Sequence, residues 1–77
     1  MSKHEFCGIM LAQARRTAKE MGIPVPKNIT ALQSAKNKFF VEADGMKGVY
    51  VRACCRWAAK GAIILDLIER RGRENHS

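Results

Sequence analysis

Phe6, Cys7, Met10, Leu11, Ala14, Ala18 and Met21 recur at spacings of three and four, the period of one face of an amphipathic helix. Ser2 with Glu5 forms a capping box ahead of them, and Gly22 suits the residue just past a helix end. A helix over Lys3–Met21 is therefore predicted, with Arg15, Arg16 and Lys19 on its other face. Ile23-Pro24-Val25-Pro26 then forbids helix and favours extended chain. This is a connector, with Ile23 and Val25 available to pin it to a core.

Thr30 with Gln33 again looks like a capping box, so a short helix is expected to start there. Two patterns compete beyond it. Phe39 to Ala43 and Val49 to Ala53 are rich in aromatic and β-branched residues and flank Asp44-Gly45 and Gly48, which predicts a β-hairpin over about residues 38–53. Setting Val41 opposite Val51 puts Ala43 opposite Val49 and Phe39 opposite Ala53. Phe40, Glu42, Tyr50 and Arg52 then share the other face. Tyr50, Cys54, Trp57, Gly61, Ile64 and Ile68 also recur at helical spacing, so an all-α three-helix domain is the alternative. Gly45, Gly48, Val49 and Val51 disfavour a helix start there. The expected class is α+β: long helix, short helix, hairpin, long C-terminal helix.

That last helix is predicted over Ala53–Arg71, with Trp57, Gly61, Ile64, Leu65 and Ile68 as its inward stripe. Ile63 and Leu67 fall on a flank shared with Arg56, Lys60 and Arg70. A helix apolar around so much of its circumference suggests a partner surface. Ile63 and Leu67 are thus expected to form an interface, in a homodimer or a hetero-complex.

Length narrows the picture to one small domain over residues 1–77, with a polar, frayed tail over 72–77. A chain of 77 residues buries only about 60% of the surface it exposes unfolded. Charge adds a partner class. The net charge is +7, from 14 Lys and Arg against 7 Asp and Glu. No acid lies between Glu20 and Glu42 or between Asp44 and Asp66, while Lys27, Lys36, Lys38, Lys47, Arg52, Arg56 and Lys60 do. Such a field attracts nucleic acid or acidic protein surfaces. Arg52, Arg56 and Lys60, spaced by four, would make a helical ridge. With Lys47, Arg15, Arg16 and Lys19 they are the candidate contact residues. Basic residues also stand beside aromatics at Lys38-Phe39-Phe40, Tyr50-Val51-Arg52 and Arg56-Trp57.

Cys7, Cys54 and Cys55 make an odd count with an adjacent pair, a poor disulfide framework, and a reducing, cytoplasmic compartment is expected. No secretory leader or membrane span is expected either; the longest aliphatic run, Ala62 to Leu65, is too short. His4, Cys7, Cys54, Cys55 and His76 are conceivable zinc ligands. Without a Cys-x-x-Cys pair, and with Cys54 and Cys55 on different faces of a helix, core thiols are the expectation, with no metal and no cofactor. Both histidines lie near the chain ends, the carboxylates do not pair and no Gly-rich phosphate loop exists, so no catalytic residues and no enzyme are expected. What remains is a non-catalytic basic regulatory module that binds nucleic acid. The alternative is a small inhibitor, of the kind mobile genetic elements encode, that docks on a larger acidic or nucleic-acid-handling protein and blocks it.

Overall fold

The computed structural model describes residues 2–74, with Lys3 and His4 described by their backbone alone. Its order is α1 (Lys3–Glu20), β1 (Thr30–Ala35), β2 (Lys38–Ala43), β3 (Met46–Arg52) and α2 (Arg56–Glu74). This is an α+β arrangement.

The helix signals at the N-terminus act as read. The Ser2 side chain accepts from Glu5 N at 3.2 Å, and Glu5 accepts from Ser2 N at 3.3 Å. At the other end Gly22 takes φ 72°, which glycine adopts without a Cβ clash. Gly22 N then reaches Lys19 O and Ile23 N reaches Ala18 O, the two bonds of a Schellman motif. Ile23 is thereby turned inward and buried.

The short helix expected from Thr30 is instead β1. The strands order β1-β2-β3, all antiparallel. A hairpin of two strands alone is marginal in water, and a third strand doubles its pairing. The turn that permits it is Lys36-Asn37, with Asn37 at φ 58°, a left-handed conformation that Asn tolerates. The hairpin lies where expected, over β2 and β3, but its register differs by two. Val41 pairs with Val49, Phe39 with Val51, Phe40 with Tyr50 and Lys38 with Arg52. A slip of two keeps every side chain on its face; a slip of one would have inverted them.

Among the regular elements, α1 packs on α2 alone, while α2 packs on all three strands. The second helix is thus a middle layer. Cys7, Leu11, Ala14 and Ala18 are the buried stripe of α1; Phe39 and Val41 are the buried residues of the sheet. This corrects the reading of Ile63 and Leu67 as an exposed interface. Ile63 is 5% exposed and belongs to the core, and Leu67 is partly buried against it. Leu65, assigned to the inward stripe, is 51% exposed. The helix is apolar nearly all round because the chain covers it on two sides, so that flank no longer calls for a partner.

The predicted tail is helical through Glu74; residues 75–77, including His76, lie outside the described residues. Among the described residues, no helix is long and apolar enough to cross a membrane.

Candidate nucleic-acid interface

Because α2 covers one face of the sheet, the other faces solvent. Strand alternation puts Leu32, Phe40 and Tyr50 on that open face in one cross-strand row: Leu32 pairs with Phe40, and Phe40 with Tyr50. Leu32 is 65% and Tyr50 62% exposed. The rings of Phe40 and Tyr50 lie 4.9 Å apart at 56°. Phe40 lies across the neighbouring strand where Gly48 has no side chain. A Cβ added there would fall 2.7 Å and 2.9 Å from two Phe40 ring carbons.

Cations border this row on one side. Lys38 Nζ sits 4.8 Å over the Tyr50 ring, within range of a cation–π attraction. Arg52 pairs directly with Lys38 across the strands, and Lys36, Lys38 and Arg52 line one depression at the β1–β2 turn. None of the three forms an ion pair with the described residues. The acids Asp66 and Glu69 instead engage Arg70 and Arg73 on α2, at 3.0 Å and 3.7 Å. On the other side of the row Thr30 pairs with Glu42. The face therefore runs from a cationic end through an aromatic centre to an acidic end.

The other candidate cations are dispersed. Arg52 lies in β3, so the expected ridge of Arg52, Arg56 and Lys60 does not form; only Arg56 and Lys60 share a helix. Arg56, at the start of α2, stacks 4.6 Å over Trp57. Lys47 lies beside Arg70 and Asp66 on the helix-facing side of β3. Arg15, Arg16 and Lys19 are exposed on α1, with Arg15 and Lys19 flanking the Gly22–Val25 connector. Lys36 and Lys38 were not among the expected contact residues; the strand register that sets them beside Arg52 was the missing signal.

A second constellation lies just beyond the Arg52 end of β3. Cys54 and Cys55 occupy the turn into α2, not a helix, and they meet Cys7 of α1. The three sulfurs all lie within 4.8 Å of one another, with Cys7 Sγ and Cys54 Sγ at 3.7 Å. Cys7 and Cys55 are buried and Cys54 is exposed. The hydrogen bond to Cys55, followed by burial, pushes the Cys7 thiol up to about 12. Burial works against ionisation of Cys55 as well. There the backbone N–H groups of Ala58 and Trp57 and the bonds from Cys7 and Cys54 outweigh it and hold that thiol below its ordinary value, as at other helix N-termini.

Beside the thiols runs an apolar groove of about 430 Å³ between the helices, lined by Phe6, Met10, Leu11, Trp57 and Leu65. Comparison with protein-family models, with curated proteins and with solved structures finds no match to this chain.

Proposed function

We propose that this domain binds nucleic acid with exposed bases through the open face of its sheet. The observation that carries the reading is the Lys38–Tyr50–Phe40 cluster, with Leu32 and Arg52 beside it on one solvent-facing surface. Exposed aromatic faces suit base stacking, which contributes about 1–3 kcal/mol per base. Cations at one end of such a platform suit the phosphates, whose neutralisation releases counterions. Lys36, Lys38 and Arg52 would take the backbone, and Tyr50 and Leu32 the bases. The role is that of a binding module; no step of catalysis enters it.

Fluorescence anisotropy with a labelled single strand and its duplex tests the reading. The single strand is expected to bind more tightly. Tyr50→Ala should weaken it by about 1–3 kcal/mol, and the exposure of Tyr50 leaves the fold intact. Equal binding by parent and Tyr50→Ala, or no binding at low salt, would overturn it; silence on nucleic acid would favour an acidic protein partner.

A further inference from the structure

We propose that Cys7, Cys54 and Cys55 form a binding site for one thiophilic d10 metal ion of the zinc(II) and copper(I) class. The inference is independent of the nucleic-acid reading. Among the described residues this is the one place where three metal-ligating side chains converge. The geometry is close to what coordination needs. With Zn–S bonds of about 2.3 Å, tetrahedral angles set ligand sulfurs about 3.8 Å apart. One pair already stands at 3.7 Å, and no pair exceeds 4.8 Å. Sub-ångström side-chain adjustment closes the rest.

The donor set selects the ion. Three thiolates are soft ligands, suited to zinc or monovalent copper and not to magnesium or calcium. The groove beside the site offers only apolar side chains, Phe6, Met10, Leu11 and Trp57 among them, so no hard oxygen donor competes from that side. Cys54 is exposed and gives the ion an entry.

The fold also manages the charge. Three thiolates around zinc(II) leave one net negative charge. Cys55 stands just before α2. That is the positive end of the helix macrodipole. Arg56 follows immediately. The site has a structural consequence, since it ties α1, which packs on α2 alone, to the β3–α2 junction across 47 residues of sequence. Each coordinated thiol gives its proton to solvent, so binding releases protons and no electron changes hands.

The test uses the full chain, reduced with a non-thiol reductant under anaerobic conditions. Cobalt(II) should produce a thiolate-to-metal charge-transfer band that saturates at one equivalent, and zinc(II) should abolish it. Competition against a chromophoric chelator should give a zinc dissociation constant below about 10⁻⁶ M; a parallel copper(I) titration shows which ion is held better. Bound metal should raise the melting temperature. Cys54→Ser removes an exposed thiol, so the fold should persist by circular dichroism. Its affinity should fall by at least roughly tenfold, a loss that even an outer-shell partner can cause. Absence of the band at one equivalent, or zinc and copper(I) binding by Cys54→Ser as tight as the parent's, overturns the site.

Discussion

Replacing Gly48 by alanine should destabilise this domain, and the loss should depend on one ring. A Cβ at Gly48 would fall inside contact distance of the Phe40 ring, at 2.7 Å and 2.9 Å from two of its carbons. Gly48 lies in β3 and its φ is not left-handed, so the backbone itself accepts alanine. The ring must move instead. Overpacking of this kind costs about 1–3 kcal/mol, and a displaced Phe40 also gives up its contact with Tyr50, worth about 0.5–1.5 kcal/mol. Reduced freedom of the unfolded chain returns about 0.4–1 kcal/mol. A net loss of about 2 kcal/mol is expected, or roughly 8–16 °C in melting temperature for a domain of this size. Thermal and urea unfolding followed by circular dichroism, with the single tryptophan as a second probe, would measure it. The control is a double-mutant cycle. In a Phe40→Ala background there is no ring to displace, so Gly48→Ala should become neutral or stabilising. An equal loss in both backgrounds would show that Phe40 does not lie over Gly48, and the aromatic cluster on the open face would lose its support.

Other substitutions probe the layers. Gly61→Ala should stabilise by about 0.5–1 kcal/mol, because its Cβ would meet Leu11 Cα at an ordinary 3.8 Å; a loss in thermal melts would mean the helices approach more closely. Ile63→Glu should unfold the chain by burying an unpaired charge in the core, whereas Leu65→Glu, at a position 51% exposed, should leave it folded; a folded Ile63→Glu protein would restore the interface reading. Asn37→Gly should be neutral or slightly stabilising and Asn37→Val should cost about 1–3 kcal/mol in urea unfolding, since φ is 58° there; equal stability would refute the turn.

The parts of the fold that local chemistry decides were readable. Ser2, Glu5 and Gly22 mark both ends of α1, and alternation around Asp44-Gly45 marks β2 and β3, even with the register off by two. β1 was hidden because Thr30 and Gln33 mimic a capping box. Its residues, Thr-Ala-Leu-Gln-Ser-Ala, hold one β-branched side chain and no aromatic, so strand propensity is weak and pairing with β2 decides. The covering of α2 was hidden for a different reason. Periodicity reports how much of a helix is buried, not whether its own chain or a partner buries it, so Ile63 and Leu67 looked surplus. Arg52 was expected on a helical ridge with Arg56 and Lys60, whereas its strand sets it beside Lys36 and Lys38. The same helical assumption separated Cys54 from Cys55, whose convergence on Cys7 depends on the turn before α2.

The salt dependence of single-strand binding tests the central claim most directly. Each phosphate neutralised contributes about −0.7 to the slope of log affinity against log salt. Replacing Lys36, Lys38 and Arg52 together by glutamine should therefore flatten the slope by about 2, at nearly unchanged stability, because exposed charges contribute little to folding. Replacing Arg15, Arg16 and Lys19 on α1 should leave most of the slope in place. If instead the α1 variant loses the slope and the sheet variant keeps it, the open face of the sheet is not the binding surface.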